Sequence, residues 1–507
     1  MHSSLFFAIA VAALWIPSCL APGTDDGSPG QIHPISQETC QKTCHVLARV
    51  LKGRVSFPGS AVYESEQLYW SSQQADTRPA CRVTPTSAED VSTTIQVLRS
   101  QGCPFAVKSG GHACFAGASS IQSAVVIDLS QLDQIKILRE KMEVSVGAGV
   151  RWSDLYPAMD AAKIGVVGGR AVGIGVGGLT LGGGFSFHSG RYGLACDNVN
   201  TFQVVLANGT IREVNQASFP DLYWALRGGG NNFGIVTRFD LASFEQGDMW
   251  GGTIIASATE LPIAIEALVN LNINHASDPF AAVFLAYAYV PSAGTTFVSA
   301  TLDYGKPIPN PPIFTNFTDL PTLSSTLKIA NLTTLINATA GTQPAGLRES
   351  YWALTTLNDA NLLNDICKIF DQEVQKIAHA TNVLPAIILQ PISEPIISHF
   401  GKNGGNALGI TTEHGPLILI NISIQWASID DDSRIMAFAE TCIARATALA
   451  TQRNLWHPWL YQNYAARQQD VFPGYGRENH RRLIAISQTY DPDGVFVRLQ
   501  PGYFKIY

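Results

Sequence analysis

In the stretch "VKSGGHACFAG", Val107 to Gly117, a single histidine directly follows two glycines. Ser109, Gly110, Gly111 and Ala113 surround His112, so no bulky side chain stands beside its imidazole. Small residues let backbone N–H groups approach something large and polar, such as a nucleotide. Two more glycine-rich runs, Gly168 to Gly184 and Gly228 to Gly234, repeat the pattern. Turns rarely need three glycines in a row, which favours close backbone approach over tight turns alone.

Other chemistries fit less well. Gly173, Gly175 and Gly178 match G-x-G-x-x-G, and Asp197 follows at the spacing of a dinucleotide fingerprint. That fingerprint must open a helix. "GGLTLGGGFSF" puts three more glycines into the first turns, so a nicotinamide site is not expected. There is no G-x-S-x-G elbow, no H-E-x-x-H and no C-x-x-C, and the 11 histidines lack metal-ligand spacing. No metal site is expected.

The elements around His112 read as a strand-helix-strand unit. "ACRVTP" and "PFAVKSG" are strands. Between them Ser87 and Asp90 open a helix in which Val91, Ile95 and Leu98 share a face. His112 therefore sits on the loop leaving a strand. "AVVIDL", "MEVSVGAG" and "NFGIVTRFDL" are further strands, "WSDLYPAMDAAK" and "FPDLYWALRGGG" are helices, and "FQVVLANGTIREV" is a hairpin turning at Asn208-Gly209. Beyond residue 246 the strands lengthen: "MWGGTIIAS", "AAVFLAYAYV", "TTFVSATLDY" and "PLILINISIQW". Two amphipathic helices, within 361–380 and 432–452, accompany them. Lys306 to Pro321 is proline-rich and reads as a surface loop. The expected organisation is a first α+β domain over 22–246, a second domain over 247–455 with an antiparallel sheet covered by helices, and a distinct aromatic C-terminal segment over 456–507.

A chain of 507 residues exceeds one core. Its net charge of −7, without a basic run, argues against nucleic acid as a partner. Leu5 to Ile16 is an apolar run before Ala21 and reads as a signal peptide over 1–21. The n-region lacks Lys and Arg, and Pro22 follows the cut, so a signal anchor is the alternative. No other run is long enough for a membrane helix. Secretion fits the sequons at Asn208, Asn316, Asn331, Asn337 and Asn421, the last on an apparent strand. Cys40, Cys44, Cys81 and Cys103 suit two disulfides with three possible pairings, while Cys114, Cys196, Cys367 and Cys442 read as buried thiols.

Four segments in this order resemble one family: "VKSGGHACFAG", "VGIGVGGLTLGGGFSFHSGRYGLACDNV", "RGGGNNFGIVTRF" and "YQNYAARQQDVFPGYGRENHRRLIAISQTYDPDGVF". They look like the berberine-bridge-enzyme-like FAD-linked oxidases of the vanillyl-alcohol-oxidase superfamily, with a PCMH-type FAD-binding domain. The likeness spans nearly the whole mature chain. It implies a two-part FAD-binding domain built from both chain ends, with the middle domain roofing the substrate.

The resemblance also implies roles. His112 takes the place of the histidine bonded to the 8α-methyl of the flavin, with Ser109, Gly110, Gly111 and Ala113 beside the cofactor. Ala171 falls where many relatives carry a second linking cysteine, so a single link is implied, and Cys196 lies off that position. Gly178, Thr180, Gly182, Gly183, Gly184, Tyr192, Asp197 and Asn198 continue the cofactor wall, although Asp197 equally suits a turn or cap. Gly234, Ile235 and Val236 match a strand at the adenine end. In "YQNY", Tyr461 matches a catalytic base and Asn463 a flavin-contacting amide; Tyr464 and His188 are lesser candidates. A tyrosine acting near neutrality would need a positive neighbour or a second phenol. The implied activity is secreted, monomeric and FAD-dependent. A small alcohol or comparable substrate loses a hydride to flavin N5, and O2 reoxidises the flavin to give H2O2. The "YWSSQQADTRPACRV" lead-in resembles the fungal secondary-metabolism branch. A carbohydrate oxidase and a non-catalytic flavin- or glycan-binding protein are the alternatives.

Overall fold

The strand-helix-strand unit forms as its sequence suggests. The computed structural model describes residues 37–138, 140 and 142–507, so the expected signal segment lies outside the described residues. Strands Val55–Ser56, Cys81–Val83, Val125–Asp128 and Phe105–Lys108 pair in that order, the last three parallel. Val125–Asp128 is buried throughout, as a strand covered on both faces must be. Helix Ala88–Gln101 makes the crossover. Ser87 Oγ accepts from Asp90 N at its start, and Gly102 at φ 65° ends it. Disulfides Cys40–Cys103 and Cys44–Cys81, one of the three pairings, clamp helix Gln37–Val50 to this unit. Cys114, Cys196, Cys367 and Cys442 are free and buried.

A second sheet orders Ile135–Leu138, Glu143–Gly147, Ile235–Glu245, Val199–Val205 and Ile211–Val214, with Ile164–Val166 pairing the far end of Ile235–Glu245. The hairpin is one residue longer at its tip than the Asn208-Gly209 pattern predicts. Leu206 N donates to Thr210 O, so Ala207, Asn208 and Gly209 form a three-residue loop. Gly209, at φ 83°, takes the left-handed position such a loop requires.

The third sheet is antiparallel throughout. Its order is Thr322–Ser325, Met249–Ser257, Thr295–Tyr304, Ala281–Val290, Leu384–Ile392, Leu417–Trp426, Arg348–Leu357 and Trp456–His457, with Lys328–Ala330 also on Met249–Ser257. Period-two alternation divides its faces. Leu285, Leu389, Ile420 and Leu354 join a core with helices Leu261–Asn274, Ala360–Val374 and Asp432–Gln452. Phe284, Ile388, Gln390, Asn421 and Tyr351 point from the other face into a cavity. Strands Arg348–Leu357 and Leu384–Ile392 escape the sequence reading: the first is buried on both faces and shows no alternation. Lys306 to Pro321 is less loop-like than expected, because Phe314 and Phe317 are buried from its short helical turns.

Candidate active site

The cavity begins where Phe105–Lys108 ends. Ser109 Oγ donates to Ala148 O at 2.6 Å. A Cβ on Gly110 would stand 2.4 Å from Gly175 N, and one on Gly175 would stand 2.3 Å from Gly110 N. The His112 loop and the Gly173–Gly178 loop therefore touch backbone to backbone, and this contact is one reason the residues before His112 are small. A Cβ on Gly178 would meet nothing within 4 Å, so that glycine opens onto free space. Gly175 caps a helix of only six residues, Val176–Leu181, which Gly182 ends; no dinucleotide-type helix follows the fingerprint glycines.

His112 lies face to face with Trp70, ring centroids 4.0 Å apart at 10°. Its Nδ1 is buried without a hydrogen-bond partner. Burial, reinforced by Arg151, pushes its pKa down to about 3, so the imidazole is neutral and keeps a free lone pair near neutral pH. Below the loop Asp128 accepts from Arg82 Nη1 and Lys108 Nζ at 3.1 and 3.0 Å, a buried cluster that anchors the strand end.

Of the residues marked in the sequence, Ser109, Gly110, Gly111, His112, Ala113, Ala171, Gly178, Gly234, Ile235, Val236, Tyr461, Asn463 and Tyr464 line this one cavity. The rest stand behind it. Thr180 is buried, and its hydroxyl finds no partner. Gly182 faces Asn463, Gly183 faces Tyr461, and Gly184 faces Leu179 and Ala195. Gly182 and Gly183 make room for the returning C-terminal segment. Tyr192 stacks on Phe244 at 4.2 Å. Asp197 caps Leu194 N at 2.9 Å and accepts from Asn406 Nδ2, which is the cap role. Asn198 bonds the carbonyls of Tyr192 and Leu194. His188 is buried, both ring nitrogens unpartnered, edge-on to Phe244.

The two phenols of "YQNY" differ. Tyr461 Oη accepts from Gly184 N at 3.0 Å, Phe185 N at 3.3 Å and Asn463 Nδ2 at 2.9 Å. Burial still drives its pKa far above the ordinary value, and no cation among the described residues touches it. Tyr464 is half-buried at the cavity, and its Oη accepts from Arg170 Nη2 at 2.9 Å. The positive neighbour that a tyrosine base requires is on Tyr464, not Tyr461. Asn463 is held by Leu179 O and Tyr503 Oη, both 3.0 Å away.

Trp70, Arg170, Gln390 and Tyr351 were not marked in the sequence. They come from segments 320 residues apart at the extremes, and no local motif unites them. Ala171 lines the cavity and has no nucleophile. Cys196 is buried against Asp197, away from the lining; Cys114 does line the cavity, but burial holds its thiol neutral, with a pKa pushed up to about 12.

The profile of an FAD binding domain matches residues 79–215. The chain is 36% identical to the FAD-dependent monooxygenase FUP4 of Fusarium proliferatum (strain ET1) over 92% of its length and 95% of the relative's. It is also 36% identical to the FAD-dependent monooxygenase tpcD of Cochliobolus heterostrophus, over 92% and 94%. Its fold is similar to that of 6-hydroxy-D-nicotine oxidase from Arthrobacter nicotinovorans (TM-score 0.74, 19% identity, 90% and 98% covered). The xylooligosaccharide oxidase of Myceliophthora thermophila C1, solved with xylobiose, is similar too (TM-score 0.72, 20% identity, 93% and 99% covered).

Proposed function

The chain belongs to the berberine-bridge-enzyme-like FAD-linked oxidoreductases, and from that premise we propose an oxidase acting on a small organic molecule of secondary metabolism. The carrying observation is a single cavity lined by the His112 loop, the open edge at Gly178 and the Arg170–Tyr464 pair. These residues fit FAD. The unpartnered Nδ1 of His112 suits the single covalent link, and Gly178 leaves space where any side chain would intrude. Bound FAD supplies a two-electron acceptor for hydride, with O2 as the onward acceptor.

The chain's own residues do the rest. Arg170 Nη2 donates to Tyr464 Oη, which sets a cation on the phenol that takes the substrate proton. Tyr461 Oη already has three donors, and Tyr461 with Asn463 fixes the wall against which the substrate lies. The sheet face carrying Phe284, Ile388 and Tyr351 excludes water from the opposite side. The two disulfides and the exposed sequons at Asn208, Asn316 and Asn337 support a secretory route.

The relatives' names include the word monooxygenase, so the decisive experiment follows oxygen. Purified protein turns over an alcohol panel under isotope-labelled dioxygen. One peroxide per product with no label in the product is expected. Label in the product without peroxide would overturn the oxidase reading.

A further inference from the structure

Arg170 projects into the cavity between two aromatic rings, its guanidinium carbon 5.3 Å from the centroid of Phe284 and 5.9 Å from that of Phe185. Its Nη2 is used twice, donating to Tyr464 Oη at 2.9 Å and to Gln390 Oε1 at 2.5 Å. Nε and Nη1 make no hydrogen bond among the described residues, which leaves three N–H groups free. No carboxylate among the described residues forms an ion pair with it. Asp303, the buried acid beside it, is held well above the ordinary carboxylate value by burial, against the lowering pull of Arg170.

The neighbours point the same way. An arginine can only donate, so the Gln390 carbonyl must face it, and the amide Nε2 is thereby turned away. That Nε2 has no partner, although Gln390 is 3% exposed. A buried donor without a partner is costly, and a ligand acceptor would recover that cost. A charged donor with N–H groups to spare and a buried donor without a partner therefore sit together, beside Phe284, Ile388 and Tyr351.

We propose that Arg170 and Gln390 Nε2 form an oxyanion receptor, and that the substrate is a planar organic acid bearing a carboxylate or an aryl or enol oxyanion. This rests on the oxidoreductase reading for the site, and it adds the substrate's charge and shape. A planar oxyanion matches the guanidinium fork, and a flat body matches the aromatic walls.

Calorimetric titration of the purified full-length protein tests this with three probes: benzoate, 4-nitrophenolate and the neutral isostere benzamide. At least one anion should bind about tenfold or more tightly than benzamide, the gain of one charge-assisted contact. Arg170→Met should remove that preference and leave benzamide within about twofold. Gln390→Glu gives Arg170 an internal carboxylate and should also abolish anion binding, which guards against a folding defect in the first variant. Benzoate alone binding assigns a carboxylic acid; 4-nitrophenolate alone assigns a phenol or enol. Equal binding of benzamide, no binding of either anion, or anion binding unaffected in Arg170→Met overturns the proposal. Yellow protein with no anion preference sinks only the receptor. Colourless protein that binds benzoate through Arg170 sinks the oxidase reading and leaves the receptor standing.

Discussion

His112 and Tyr464 are set apart by what touches them. His112 has a ring at 4.0 Å and an unanswered Nδ1, while Tyr464 has a guanidinium on its oxygen. Tyr464→Phe should lower the rate of flavin reduction roughly 10²–10⁴-fold, the range of a lost general base, and Tyr461→Phe should lower it far less. Stopped-flow reduction measures both, and the reverse order would return the base to Tyr461. The histidine was legible because its glycine context is local. The base was not, because the residue that decides between two tyrosines, Arg170, lies 294 positions from Tyr464. Asp197 reads in the sequence as two alternatives, and its carboxylate accepts from Leu194 N, the contact a cap makes.

Among the elements, two loops and a sheet face shape the cavity. Gly110→Ala would drive a methyl into Gly175 and push the loops apart. FAD content should fall sharply while the circular dichroism of the strands persists; unchanged FAD content would remove the contact's importance. Asn421 is buried on the cavity face of Leu417–Trp426, so glycopeptide mapping should find it bare while the exposed Asn208, Asn316 and Asn337 carry any glycan. A glycan on Asn421 would contradict the strand register. The hydrophobic periods located most strands and the crossover helix. They missed Arg348–Leu357 because burial on both faces erases alternation, and they misjudged the Asn208-Gly209 tip because a bulge adds a residue that periodicity does not register.

At the scale of the whole molecule, buried neutral histidines couple stability to pH. Burial, with Arg191, lowers His188 to about 3, and burial, with His414, lowers His457 to about 4. The unfolded chain takes up these protons below about 6.5, while the folded chain resists until pH 4 to 3. Their contribution is therefore complete above about 6.5 and is lost as pH falls. Thermal unfolding should show a falling midpoint between pH 6.5 and 4, and His188→Leu should flatten the slope by up to about 1.4 kcal/mol per pH unit. An unchanged slope in that variant would mean His188 does not carry the effect. The four segments that resemble the family lie at both chain ends, and the structure brings parts of all four to one cavity, which is why their order in the sequence was informative. The middle of the chain supplies Gln390 and Phe284, whose positions depend on long-range strand pairing that no window of sequence reveals. The most direct test of the account is peptide mapping of the acid-precipitated protein. The expected result is FAD retained on one peptide, the one containing His112, and lost in His112→Ala; flavin released by acid, or found on a peptide without His112, would contradict it.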